Sequence, residues 1–543
     1  VSLSSTLRDK TFRWIADDVD PDARTELQQV LARAMGGAPE ASTELEDRMA
    51  GPLTFGTAGL RGPVRAGING MNRSVVVRTT YGVASWLVHK GHSGGLVVVG
   101  RDARNGSAAF FRDVVAVLTA AGFQVCQLDG PLPTPITAFA VRHLGAVAGI
   151  QITASHNPPA DNGYKLYDAD GTQIVPPDDR LIEAAIRDAP AAVSIPRTEI
   201  PLETRQDVVD AYFARVASLP RGVSRDLKVV LTPMHGVGGQ PALEALRLAG
   251  FTDVSLVSAQ ADPDPAFPTV TFPNPEEPGA SDLLLAAASS LSADLAIALD
   301  PDADRCALGV RDNGTWRMLR GDETGALLGN YILSTLGTPG ALVATTIVSS
   351  SLLGSIASAY GARYAETLTG FKWLVRAGDG LVFAYEEALG NSVDPSYVRD
   401  KDGISAAVVA CDLAASLKAS GRSLLDVLDE LAVAHGVHLT DQVSLRVTEL
   451  PLIGRLMAQL RSAPPGEIAG VSVASEDLLP QADVLRFTGP GLRVVVRPSG
   501  TEPKLKAYLE VVEPVSGDLP AARSAAQARL AEVRTAVSEL LGA

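Results

Sequence analysis

Short β-branched runs that end in polar or glycine-rich residues recur along almost the whole chain, with helical stretches between them. Residues 96–99, 124–128, 147–152, 227–231, 295–299, 341–346, 381–385 and 493–496 have this form. Segments 281–290, with Ser281 as a candidate N-cap, and 405–419 read as helices. Alternation of the two predicts an α/β protein with parallel sheets and crossover helices. Good helix formers interleaved with charge over 22–50 predict one or two amphipathic helices before the first sheet.

At 543 residues the chain is too long for one hydrophobic core, and two to four domains are expected. A proline-containing stretch at 195–201, followed by a helical pattern at 207–217, places a first break near 205. Further breaks are expected near 320–321 and 436–439. The resulting expectation is α/β domains at 1–205, 206–320 and 321–438, then a small α+β domain at 439–543 with strands at 493–496 and 504–512 and a closing helix at 521–541. Three α/β units of similar size are compatible with diverged duplication.

The formal charge of -15 argues against a nucleic-acid partner, which needs a net basic face, but leaves room for an anionic substrate held by a local Arg/Lys cluster. Cys126, Cys306 and Cys411 are far apart and form no CxxC, so neither a disulfide framework nor a zinc site is expected. No run approaches the roughly 18 apolar residues of a membrane span, and the first residues lack a signal-peptide pattern. A soluble cytoplasmic protein with no membrane partner is expected.

Candidate chemistry stands at strand ends. The run 147–152 leads into Thr153-Ala154-Ser155-His156-Asn157-Pro158. A serine there can act as a nucleophile, although Ser, Asn and Pro also suit an ordinary turn. The run 295–299 leads into Asp300-Pro301-Asp302-Ala303-Asp304-Arg305, whose alternate carboxylates can converge on a hard cation such as Mg²⁺. An EF-hand is excluded because Arg305 and Arg311 stand where its Gly and Glu are required. The run 493–496 leads into Arg497-Pro498-Ser499-Gly500-Thr501-Glu502-Pro503-Lys504, which suits a phosphate dianion but also a charged hairpin turn. Thr54 to Gly62, with Arg61, is glycine-rich, and 381–385 leads into Glu386-Glu387-Ala388-Leu389-Gly390. Taken together, a hydroxyl nucleophile, a carboxylate loop, a carboxylate pair for sugar hydroxyls and a phosphate cradle describe phosphoryl transfer on a sugar phosphate.

These four motifs, in this order over about residues 50–512, resemble the α-D-phosphohexomutases, the family of phosphoglucomutases and phosphomannomutases. The stretches 274–279 (NPEEPG) and 367–373 (TLTGFKW) look like the branch that also holds phosphopentomutases and a glucose-1,6-bisphosphate synthase. The resemblance implies three α/β domains with mixed, mostly parallel sheets and a smaller C-terminal α+β domain around a central cleft. It implies that Ser155 is carried as a phosphoserine, and that one Mg²⁺ per chain is held by Ser155, Asp300, Asp302 and Asp304. Arg61, His156 and Lys165 would surround the transferring group, with Lys165 or Lys401 as general acid or base. Arg305, Thr369, Gly370, Glu386, Ala388, Arg497, Ser499, Gly500, Thr501 and Lys504 would bind the sugar phosphate.

The implied reaction interconverts hexose 1-phosphate and hexose 6-phosphate through a hexose 1,6-bisphosphate, which also serves as activator. Ala388 departs from the serine of many glucose and mannose mutases, so one hydrogen-bond donor to the sugar is missing. Pentose phosphates and bisphosphate synthesis therefore remain open at this stage.

Overall fold

A computed structural model describes residues 3–56, 59–203, 205–447, 450–499 and 504–542. The chain forms two compact units: Val1–Met318 with Asp394–Asp412, and Leu319–Val393 with Leu413–Ala543.

The first unit opens with three helices, Ser5–Asp17, Pro21–Met35 and Pro39–Arg48. Ser4 and Asp20 cap the first two through their side chains, and Leu27, Val30, Leu31 and Leu45 bury the shared apolar face. Two five-stranded sheets follow. The first runs in the order Leu60–Pro63, Asp161–Asp168, Ala148–Ile152, Leu96–Arg101, Gln124–Pro131. The second runs Thr315–Met318, Cys306–Asp312, Leu295–Leu299, Val229–Thr232, Val254–Leu256. Their central strands are buried on both faces, as expected where crossover helices cover a parallel sheet.

The second unit holds a four-stranded sheet in the order Arg363–Thr367, Leu342–Thr346, Leu381–Glu386, Gly390–Ser392. It also holds an antiparallel sheet of Val437–Arg446, Lys504–Glu513, Leu492–Pro498, Leu485–Gly489 and Ala474–Asp477. Helix Leu519–Leu541 packs Ala526, Val533 and Val537 into the core of the antiparallel sheet.

Wholly parallel sheets do not form; the sheets of the α/β domains are mixed. In each, three parallel strands are followed by one that turns back antiparallel on the third: Ala148–Ile152 with Asp161–Asp168, Leu295–Leu299 with Cys306–Asp312, Leu381–Glu386 with Gly390–Ser392. The loop at this return is the same topological place three times, and it carries the Ser155, Asp300 and Glu386 motifs in turn. This shared winding is what duplication of one α/β unit would leave.

Ser281 stands at the N-cap of Asp282–Ser290 but does not cap it. Its φ of -98° and ψ of 4° turn the hydroxyl away from the first-turn amides, and Oγ is buried without a hydrogen-bond partner. Among the described residues no single helix is long and apolar enough to cross a membrane.

Candidate active site

Within the first unit, loops 153–158 and 300–305 and the segment 400–403 come together at strand ends. Backbone contacts dock them. Gly403 N donates to Ala303 O at 3.1 Å, and a Cβ on Gly403 would stand 2.4 Å from Arg305 O. Thr134, at the start of helix Thr134–His143, donates N to Asp302 O at 3.0 Å and Oγ1 to Asp302 Oδ2 at 2.6 Å.

Ser155 is almost fully buried, and its Oγ donates to Asp300 Oδ2 at 2.8 Å. His156 Nδ1 lies 3.1 Å from the same hydroxyl. Lys165 comes from the return strand Asp161–Asp168, in register with Gln151, and its Nζ donates to Asp302 Oδ2 at 2.7 Å and Asp304 Oδ2 at 2.6 Å. Lys401 Nζ is 3.3 Å from Asp304 Oδ2. Arg61, on the neighbouring strand Leu60–Pro63, donates Nη1 to Asn157 Oδ1 at 2.8 Å. Arg305 lies 3.6 Å from Glu276 Oε2 and 3.9 Å from Asp304 Oδ1. The structure thus gathers Arg61, Ser155, His156, Lys165, Asp300, Asp302, Asp304, Arg305 and Lys401 in one place.

Burial dominates the titration here, and the neighbours decide its outcome. Burial and then repulsion from Asp302 and Asp304 push Asp300 well above the usual carboxylate range. Burial would raise Asp302 and Asp304 too, but Lys165, joined at Asp304 by Lys401 and Arg305, outweighs it and holds both below that range. Burial, followed by the charges of Arg305 and Arg61, keeps the His156 imidazole neutral far below its ordinary value.

The carboxylates fit a divalent cation. One ligand oxygen from each of Asp300, Asp302 and Asp304 lies within 4.8 Å of the others. Asp302 Oδ1 and Asp304 Oδ1 are buried with no hydrogen-bond partner, a costly state that a bound cation would relieve. The donors are all hard oxygens, the set that suits Mg²⁺.

The second unit carries the other motif residues. Glu386 ends strand Leu381–Glu386 and pairs with Gly390, with half-buried Glu387 and Ala388 in the turn between. Ser349 Oγ donates to Glu387 Oε2 at 2.8 Å. Half-buried Thr369 and buried Gly370 precede the short helix Phe371–Leu374, and Gly370 takes a φ of +112° open to glycine. Arg497 lies near the end of strand Leu492–Pro498, and Ser499 N donates to Lys504 O at 2.8 Å. Gly500 and Thr501 lie outside the described residues.

Thr134 and Arg104 join the first of these sites without belonging to any of the sequence motifs. Arg104 does follow the strand Leu96–Arg101, so its position at a strand end was the available clue.

The phosphoglucomutase/phosphomannomutase family matches the chain in four successive pieces: α/β/α domain I over 52–192, domain II over 210–314, domain III over 320–434 and the C-terminal domain over 446–518. The chain belongs to the α-D-phosphohexomutase family. Members of this family are sugar-phosphate mutases, isomerases by reaction class. A Haemophilus influenzae relative named a probable phosphomannomutase is 44% identical over 454 residues, covering 81% of this chain and 93% of its own. A mouse relative named phosphopentomutase is 32% identical over 586 residues, covering 96% of this chain and 92% of its own. A crystal structure of a protein from Thermus thermophilus named a putative phosphomannomutase superposes with a TM-score of 0.71 at 26% identity, over 90% of this chain and 99% of that one. All four domains of the family are thus matched between residues 52 and 518, and the relatives' names divide over the sugar.

Proposed function

We propose that this phosphohexomutase interconverts hexose 1-phosphate and hexose 6-phosphate, of glucose, mannose or both, with Ser155 as the phosphoryl carrier. The observation that carries this reading is the buried Ser155 hydroxyl at 2.8 Å from Asp300 Oδ2, inside a ring of Arg61, Lys165, Arg305 and Lys401. In the forward step the bond between phosphorus and Ser155 Oγ breaks and a bond to the free sugar hydroxyl forms. The bisphosphate so made re-presents its other phosphate, which returns to Ser155 Oγ. A hexose 1,6-bisphosphate supplied from outside would prime the serine, which is its expected role as activator.

Asp300, Asp302, Asp304 and a phosphate oxygen carried on Ser155 would hold one Mg²⁺, which when bound offsets negative charge on the transferring group. Arg61 and Arg305 would receive equatorial phosphoryl oxygens, where a single well-aimed donor commonly contributes about 10²–10³ in rate. Lys165 and Lys401 are the candidate carriers of the sugar hydroxyl proton. Burial of Ser155, with half-buried His156 beside it, keeps water from the serine ester, which separates a mutase from a phosphatase. Glu386, Thr369, Gly370 and Ala388 are proposed to contact the sugar, and Arg497, Ser499, Gly500, Thr501 and Lys504 the phosphate that is not reacting.

A phosphopentomutase reading has its own support, from Ala388 and from the 32% identical mouse relative of that name. Intact mass of the purified protein, with peptide mapping, tests the carrier: one added phosphate on Ser155 is expected, and Ser155→Ala should abolish turnover. Wild-type turnover by Ser155→Ala at saturating bisphosphate would end the proposal. Glucose 1-phosphate, mannose 1-phosphate and ribose 1-phosphate assayed side by side decide the sugar.

A further inference from the structure

Behind the Ser155 loop lies Arg104, only 4% exposed. Its Nη2 donates to Ser155 O at 2.5 Å and Asn157 O at 2.6 Å, and its Nη1 to Pro158 O at 2.8 Å and Asp161 O at 3.1 Å. One guanidinium therefore gathers four carbonyls from the arc that carries the nucleophile. The arginine is itself fixed. Asp102 Oδ1 accepts from Arg104 N at 2.9 Å and from Ser107 Oγ at 2.6 Å, Asp102 Oδ2 lies 3.5 Å from Arg104 Nε, and the Phe267 ring stacks 5.0 Å from the guanidinium carbon.

The arc needs such a clamp. Ser155 has a φ of +52°, a left-handed conformation that is strained for a non-glycine residue and persists only where the surroundings over-determine it. In this conformation the Ser155 carbonyl meets Arg104 while its hydroxyl meets Asp300. Phe267 lies between strands Val254–Leu256 and Leu295–Leu299, the second of which leads into the Asp300 loop. The stack therefore joins the arginine behind the serine loop to the chain segment that precedes the carboxylate loop in sequence.

We propose that Arg104 is a positioning residue for phosphoryl transfer: its carbonyl clamp holds Ser155 Oγ at the carboxylate cluster, and the Phe267 ring braces the guanidinium that makes the clamp. The proposal rests on Ser155 being the phosphoryl carrier. A lysine cannot replace the arginine, because a single ammonium with three donors lacks the planar fork that spans four carbonyls.

The test compares kcat and KM for Arg104→Lys, Arg104→Ala, Phe267→Leu, Ser155→Ala and Arg225→Ala on glucose 1-phosphate with bisphosphate primer, and on whichever sugar proves preferred. Arg225 also bonds three carbonyls, those of Gly222, Ser224 and Ala249, but touches no residue of the site, so it reports loss of a clamp as such. Displacing a nucleophile by about 1 Å costs on the order of 100-fold in rate. Both Arg104 variants should show that loss in kcat with KM changed less than about threefold. Phe267→Leu should show a smaller kcat loss in the same direction. Guanidinium ion added to Arg104→Ala should recover part of its lost rate and do nothing for Ser155→Ala, while Arg225→Ala should lower the melting temperature with kcat unchanged.

Wild-type kcat in Arg104→Lys would overturn the proposal, as would a folded Arg104→Ala that guanidinium leaves inactive. Should Arg104→Ala not fold, Arg104→Lys and Phe267→Leu decide, and wild-type kcat in both would overturn it. If Ser155→Ala retains turnover, the carrier itself is wrong; if Ser155→Ala is dead and Arg104→Lys is fully active, the clamp alone is wrong.

Discussion

Lys165 Nζ lies between Asp302 and Asp304, at 2.7 Å from one carboxylate and 2.6 Å from the other, so a buried ammonium already balances part of the charge of the proposed cation site. The two carboxylates give Lys165 their Oδ2 atoms and keep Oδ1 without a hydrogen bond. A divalent ion and the lysine can therefore use different oxygens of the same aspartates. Replacing Lys165 by Met leaves buried carboxylates without their partner, a change that typically costs about 3–5 kcal/mol. The melting temperature of Lys165→Met should fall in the absence of metal and rise with added Mg²⁺ by more than the wild-type rise. An equal Mg²⁺ increment in both proteins would show that the lysine does not share the cluster's charge.

Gly236 supports the carboxylate loop from behind. A Cβ there would stand 2.3 Å from Pro301 Cα and 2.4 Å from Pro301 O, both backbone atoms that cannot swing aside. Val237 N, one residue on, donates to that same Pro301 O at 2.8 Å. Gly236→Ala must therefore displace Pro301 and with it the 300–305 loop. Calorimetric titration with Mg²⁺ should show affinity reduced by tenfold or more, about 1.4 kcal/mol, and unchanged affinity would show that the loop absorbs the methyl elsewhere.

The apolar parallel strands were legible because they are buried on both faces and read as continuous runs, as Leu295–Leu299 does. The loops after them were legible because ligand chemistry gathers at strand ends. The return strand Asp161–Asp168 was not, since Asn162 and Lys165 are buried inside it and break every apolar pattern, although Lys165 is one of the best-connected groups of the site. That strand is also what makes the first sheet mixed rather than parallel. The Ser281 cap failed for a local reason, a backbone turned the wrong way. Arg104 escaped notice because a clamp made of carbonyls leaves no trace in the identities of the residues it holds.

Glu387 should make stability fall as pH rises. Burial first, and then the charges of Glu386 and Asp322, push its carboxyl up to about 7. Its unfolded value lies near the ordinary 4.5, so the unfolded chain releases this proton first. Stability from this group is complete below about 4.5 and declines through 7. Glu387→Gln, which keeps the shape without the charge, should gain on wild type in urea unfolding between pH 5 and pH 7.5. A difference constant across that range would place the proton elsewhere.

Glu510 should act in the opposite sense at the acid end. Burial alone would raise it, but the hydrogen bond from His438, the charge of Arg493 at 2.9 Å and the bond from Ser350 at 2.7 Å lower it to about 2. A depressed carboxyl contributes stability that is complete above its unfolded value of 4.5 and is lost as pH falls towards 2. The shift corresponds to on the order of 3 kcal/mol for a group this buried. His438, Ser350, Ser351 and Arg493 all converge on this one carboxylate, so Glu510→Gln leaves a buried guanidinium half-paired as well as removing the charge. Urea unfolding followed from pH 7 to pH 3 should therefore show Glu510→Gln less stable at pH 7, with the gap to wild type closing as pH falls below 4.5. A gap that stays constant down to pH 3 would mean that the ion pair with Arg493 contributes nothing to the acid sensitivity of this unit.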